Sequence, residues 1–166
     1  MYQARLGIKK DYDKWDDISP KSDTHELRIA KNALQWIKDS ININLLNDQT
    51  ELSYRLFKQD LENQIKDFKY RLYSYPVNQM YGYHSRVPAF LINIHKVDSK
   101  KDAEDYIVRL NGIKDLFNQL EKNLIERELV GIMPPQFVYH HVIDDSKNII
   151  SGLPFNGTDS SALFKD

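Results

Sequence analysis

The chain has 166 residues, 41% of them hydrophobic and 28% charged, with mean hydropathy −0.60, a globular balance with a heavily charged surface. Its 23 basic and 24 acidic residues are interspersed and leave a net charge of −1, so it lacks the basic stripe of a nucleic-acid binder. The absence of cysteine excludes disulfides and thiolate metal sites, and no apolar run approaches the roughly 20 residues of a membrane span.

In chain order, "MYQARLGIKK" has no apolar signal core, which implies either a cytoplasmic protein or a leader removed before Met1. Residues 1–20 read as an irregular N-terminal arm that Tyr12 and Trp15 pin to the body. A first helix is predicted from about Asp23 to Ser40, capped by Asp23 or Thr24. Leu27, Ala30, Leu34, Ile37 and Ile41 recur at three and four, which marks one buried face. A second helix starts at Asn47 or Asp48, carries Leu61, Ile65, Phe68, Leu72 and Tyr75 on one side, and stops at Pro76, which has no backbone donor. After an irregular stretch, Val87 to His95 reads as a short helix with Pro88 in its first turn.

Ser99 caps the longest predicted helix, with Asp102 three residues on as a capping-box variant. Ala103, Tyr106, Leu110, Ile113, Phe117, Leu120 and Leu124 keep a near-heptad register suited to antiparallel packing at a shallow angle. Gly112 lies within it, where a missing side chain permits close approach of another backbone. Gly131 is placed to end the helix. Pro135 suits the first position of a last helix that ends near Ser151. The tail 153–166 reads as loop, with Ser160 or Ser161 starting a further apolar pattern. These elements predict an all-α fold, an extended and mostly antiparallel bundle of four to five helices in one region spanning 1–166.

The residues offer several chemistries. His140 with Asp144, and His141 with Asp145, stand one helical turn apart, a spacing that can hold a divalent ion. Adjacent histidines point about 100° apart on a helix, however, so the plainer expectation is a polar surface. The pairs Asp16/Asp17 and Asp144/Asp145 read as solvated carboxylates. His84 lies in an irregular segment beside Gly82 and Arg86 and reads either as a cleft-facing side chain or, more commonly, as a buried histidine bonded to a loop carbonyl. Tyr70, Tyr73, Tyr75, Tyr81 and Tyr83, half of the ten tyrosines, crowd into fourteen positions. They suit a substrate groove and a half-buried hinge equally well.

The stretch "YPVNQMYGYHSRVPAFL", followed by "DAEDYIVRLNGIKDLFNQLEKNL" and "GIMPPQFVYHHVI", resembles the DUF885 family of bacterial proteins. "LGIKKDYDKWDDIS" and "LSYRLFKQDLE" resemble its N-terminal region, so the resemblance spans nearly the whole chain. It implies a larger all-helical, exported protein, periplasmic or lipid-anchored at the cell envelope, resembling zinc metallopeptidases. In such an enzyme zinc polarises the scissile carbonyl and a water, with a glutamate as base. The family's His-Glu-Ala-x-Pro-Gly-His type motif is not formed around His25, His84, His95, His140 or His141. The chain is therefore expected to be the N-terminal part of such a hydrolase of peptide-like substrates. The rest of the parent protein would be its partner, and zinc would be held elsewhere. Polarity and irregular backbone make Asn78, Gln79, Tyr81, Gly82, His84 and Arg86 the candidates for lining its substrate channel, with Gly82 allowing the chain to approach substrate closely. The alternative is a non-catalytic helical interaction module. A complete core would favour the module, whereas exposed apolar surface on the long helix and around Leu163 and Phe164 would favour the larger enzyme.

Overall fold

The structure, a computed structural model, describes residues 1–151. The tail expectations, including Gly152, Ser160, Ser161, Leu163 and Phe164, fall outside those residues. The described residues form α-helices joined by turns and short 3₁₀ segments, so the chain is all-α. The helices are α1 (Tyr2–Arg5), α2 (Pro20–Ser40), α3 (Asp48–Asp67), α4 (Tyr83–Asn93), α5 (Lys100–Leu129) and α6 (Phe137–Ser151). The only β pairing among them is an isolated bridge between Val77 and Gly82. The chain divides into two compact units, Ile18–Tyr73 and the combination of Met1–Asp17 with Ser74–Asp166.

The unit Ile18–Tyr73 is a helical hairpin. Its first helix starts earlier than predicted: Ser19, not Asp23 or Thr24, is the cap, accepting from the Ser22 N–H, and Pro20 takes the first helical position. Proline there loses no hydrogen bond, because the first N–H groups of a helix have no partner within it. Asn47 caps α3 as expected, its Oδ1 2.9 Å from the Thr50 nitrogen. Lys38 to Glu62 and Asp23 to Arg71 pair across the hairpin, which makes α2 and α3 antiparallel. Ala30 and Ile37 of α2 meet Tyr54 and Leu61 of α3, with Leu34, Ile41 and Ile65 partly buried against them. The second helix does not run to Tyr75. It tightens after Asp67 into a 3₁₀ segment, Phe68–Tyr73, before Pro76 is reached.

The other unit is built around α5. The arm is not wholly irregular, since it contains α1, and Tyr12 and Trp15 do fasten it. The Tyr12 hydroxyl accepts from the Lys96 N–H at 2.8 Å, and the Trp15 ring N–H donates to the Arg109 carbonyl at 2.8 Å. Gly112 admits the Trp15 ring rather than another backbone: a Cβ there would stand 3.2 Å from the indole.

The predicted α5 stripe is displaced. Leu120 alone of the seven apolar positions is fully buried, while Asp102, Asp105, Arg109, Leu116, Asn123 and Arg127 join it in the interior. Side chains distant in sequence make this polar stripe tolerable. Arg109, 2% exposed, lies 4.6 Å from the Phe90 ring centre and is flanked by the Tyr12 and Trp15 rings. Its Nε donates to the Lys14 carbonyl, and its Nη1 contacts His95 Nδ1 at 3.2 Å. Asp102 receives Lys9 at 2.7 Å and the Asp98 N–H at 3.1 Å, and its carboxyl also bonds to the side chain of the cap residue Ser99. Lys101 pairs with Asp105 one turn on.

Candidate functional site

The stretch from Tyr75 to Phe90 is more ordered than its composition suggests. Asn78 Oδ1 accepts from the Met80 and Tyr81 N–H groups at 2.8 and 2.9 Å, closing a tight turn. The Asn78 N–H donates to Tyr81 O, and the Tyr83 N–H to Pro76 O, so the strand-like pair 76–78 and 81–83 is laced on both sides. Gly82 sits where these backbones converge. A Cβ there would lie 2.8 Å from Pro76 O and from Val77 Cα, and 2.9 Å from His84 Nδ1. The close approach that Gly82 permits is thus to its own chain, and it sets the position of His84.

α4 begins at Tyr83, four residues before the predicted start at Val87. The Ser85 and Arg86 N–H groups already donate to Gly82 O, so Pro88 falls in the second turn and leaves the His84 carbonyl without its usual helical donor. The earlier start puts His84 on the inner face with Val87, Phe90 and Leu91. His84 is 5% exposed. Its Nδ1 is buried with no hydrogen-bond partner among the described residues, and its Nε2 lies 3.5 Å from Asp145 Oδ2 on α6. That separation is longer than a normal hydrogen bond.

The six sequence candidates separate on this geometry. His84 lines a cavity of about 300 Å³ with Val87, Pro88, Leu91, Ile113, Phe117, Ser146 and Ile149. Asn78 spends its carbonyl oxygen on its own turn. Gln79, Tyr81 and Arg86 are exposed, and Arg86 lies 5.7 Å from the Tyr83 ring centre. The neighbouring residues Tyr75, Pro76 and Val77 line a second cavity of about 360 Å³ against Leu124 and Arg127 of α5 and Val138 and Val142 of α6. The stretch therefore walls two cavities, one on each side of its turn.

Both cavities lie between matching helical faces. Ile113, Phe117, Leu124 and Glu128 recur at four, seven and four along α5, and Val138, Val142, Ser146 and Ile149 recur at four, four and three along α6. Ile113, Phe117 and Leu124 of the apolar stripe read from the sequence of α5 line these cavities, while the polar stripe beside it fills the interior. Asp145 and Ser146 had no signal of their own. Asp145 looks like one of two solvated acids, and only the fold brings it to His84.

The other buried histidine is saturated. His95 Nε2 lies 3.1 Å from the Asp102 carbonyl, which can only accept, so this nitrogen carries the proton and Nδ1 accepts from Arg109. Burial, and then the Arg109 charge, push its pKa below the usual imidazole value. The Lys9 hydrogen bond brings the Asp102 carboxyl down to about 2. This cluster anchors the arm, and its polar atoms are directed at one another.

His140 and His141 are exposed, and no group of three metal-ligating side chains occurs among the described residues. The described donor set therefore does not fit zinc. No helix among them is long and apolar enough to cross a membrane. No curated protein and no solved structure is matched by the chain. The model of the family described as "Bacterial protein of unknown function (DUF885)" matches residues 1–166, and the chain belongs to that family.

Proposed function

We propose that this DUF885 chain forms one wall of the substrate channel of a hydrolase acting on peptide-like substrates. The observation that carries the reading is His84. A buried imidazole ordinarily has its hydrogen bonds satisfied. Here one nitrogen has no hydrogen-bond partner among the described residues and the other faces Asp145 at 3.5 Å, beside an apolar cavity. The Nε2 N–H, with only a long contact to Asp145, is placed to donate a hydrogen bond to a carbonyl or carboxylate oxygen of a ligand lying in the seam, with Asp145 favouring the donor tautomer. The zinc that the family resemblance implies belongs, in this proposal, to residues outside those described. An exported location rests on the resemblance alone.

The surface supports a larger assembly. Ile125, Leu129, Val130, Met133 and Phe137, at the end of α5 and the start of α6, all stay exposed. The same surface would serve a non-catalytic interaction module, with the apolar residues receiving a protein partner. The test is His84→Ala in the full-length protein, assayed on a panel of short peptides. A fall in turnover or affinity of ten-fold or more, with helicity intact, is expected. Wild-type kinetics would remove His84 from the channel, and no hydrolysis by the wild-type protein would leave the module.

A further inference from the structure

We propose that the 360 Å³ cavity bordered by Tyr75, Pro76 and Val77 is the subsite for one bulky apolar side chain, aromatic or branched aliphatic, of the ligand. The inference rests on the peptide-like reading above and deepens it by naming what the substrate must carry.

The cavity is built on a rigid frame. On one side, α5 ends at Gly131, whose φ of +76° suits glycine. The Ile132 N–H donates to Arg127 O and the Gly131 N–H to Glu128 O, both at 2.9 Å, a paired closure that turns the chain sharply and brings Ile132, Met133 and Pro134 over the opening. On the opposite side, Arg127 Nε donates to Ser74 O at 3.0 Å while Nη1 holds Asn123 O. The residue just before Tyr75 is thereby clamped to α5. The Tyr83 N–H to Pro76 O bond and the Asn78 turn fix the next two wall residues. Val138, among the most deeply buried side chains, closes the floor.

Size and lining select the occupant. Interiors rarely leave voids much larger than a water, and about 360 Å³ falls at the lower end of ligand-site volumes, roughly 300–1,000 Å³. Val77, Leu124, Ile132, Pro134, Val138 and Val142 make the walls mainly apolar; of the two charged lining residues, Arg127 is engaged with Ser74 O and Asn123 O, and Glu128 is exposed. A charged group would lose much of its hydration against the apolar walls, and a glycine-sized group would leave them unfilled. Tyr75, Met133, Tyr139 and Ile143 remain roughly half exposed, an apolar mouth continuous with the cavity. Methionine and tyrosine adapt to varied apolar shapes while tolerating water at the outer edge.

The experiment is NMR titration of the full-length protein with N-acetyl-phenylalaninamide, N-acetyl-leucinamide, N-acetyl-glycinamide and N-acetyl-lysinamide. The first two are expected to bind saturably and to shift the methyl signals of Val77, Val138 and Val142, with the glycine and lysine probes at least ten-fold weaker. Val142→Trp, which fills the space, is expected to abolish the phenylalanine response. Val142→Ala, which enlarges it, is expected to keep binding and favour the larger probe. Equal response to all four probes, or unchanged binding in both variants, overturns the subsite. Selective binding in a protein that hydrolyses no peptide removes the hydrolase reading and leaves the subsite. Hydrolysis sensitive to His84→Ala but indifferent to both Val142 variants does the reverse.

Discussion

The two units bury different things. The hairpin Ile18–Tyr73 is closed by Ala30, Ile37, Tyr54 and Leu61, and its ion pairs sit at the margins. The α5 unit buries Phe90, Leu116 and Val138 beside two arginines, two histidines, two aspartates and an asparagine. An apolar seam asks only that its parts be apolar and correctly spaced, so it tolerates substitution. A buried polar cluster asks that each donor meet its acceptor, and it fails sharply when one member is removed. The hairpin's order is thus local, whereas that of the α5 unit depends on contacts between residues 80 to 95 positions apart, such as Tyr12 with Lys96 and Arg109 with Lys14.

The largest effect expected is from Arg109→Leu. It strips His95 Nδ1 and the Lys14 carbonyl of a donor and removes the cation from three aromatic rings, at about 1–3 kcal/mol for each buried acceptor left unsatisfied. Urea unfolding should show this loss, and limited proteolysis should cut the arm first. An Arg109→Leu protein as stable as wild type would show that the polar cluster is incidental to the fold. Leu61→Ala should cost about 2–3 kcal/mol, the lower part of the range for buried leucines, because a two-helix core can relax around the gap. Faster hydrogen exchange should be confined to α2 and α3, and equal acceleration in α5 would show that the units are not separately cooperative.

Gly82→Ala follows at about 1–2 kcal/mol. Its Cβ would press on Pro76 O and Val77 Cα, which are backbone atoms and cannot rotate away. The His84 ring signals should shift by NMR, since the same Cβ meets Nδ1. Unchanged His84 shifts would separate the turn from the site.

The smallest effect is the pH dependence. His95 has a lowered folded pKa, so the unfolded chain takes up its proton first. Its contribution is complete above about pH 6.5 and declines as pH falls below that value toward the folded pKa. Asp102 is also depressed, so its contribution is present above the unfolded carboxylate value and is lost as pH falls from about 4 toward about 2. His95→Gln should remove the upper of these two declines in a stability–pH curve and Asp102→Asn the lower. Retention of both declines in the double variant would assign them to other groups.

Much of the site was half visible in the chain. Pro76, Gly82 and Pro88 mark an irregular joint, and its richness in polar and aromatic residues points to a wall. Which residues form the wall was not visible. Asn78, whose polarity suggested ligand contact, folds its carbonyl oxygen onto its own turn. Val77, with no polar group at all, lines a cavity. Helix α4 starts four residues early because the Gly82 carbonyl can accept from Ser85 and Arg86, a bond that depends on the preceding turn holding Gly82 in place.

The chain's local pattern was enough to read the helical class, the cap at Ser99 and, between Asn47 and Asp48, that of α3, the stop at Gly131, the arm's attachment through Tyr12 and Trp15, and the hairpin core apart from Tyr54. These depend on local spacing, on one side chain meeting a nearby backbone group, or on large aromatics that must find cover. Tertiary packing alone settles that α5 buries a polar stripe beside its apolar one, that Asp145 lies 3.5 Å from His84, and that the stretch from Tyr75 to Pro88 lends residues to two cavities. Each of those depends on pairing between segments far apart in the chain. Helical periodicity cannot encode it, because a buried arginine and an exposed one occupy the same place in the repeat until their partners arrive.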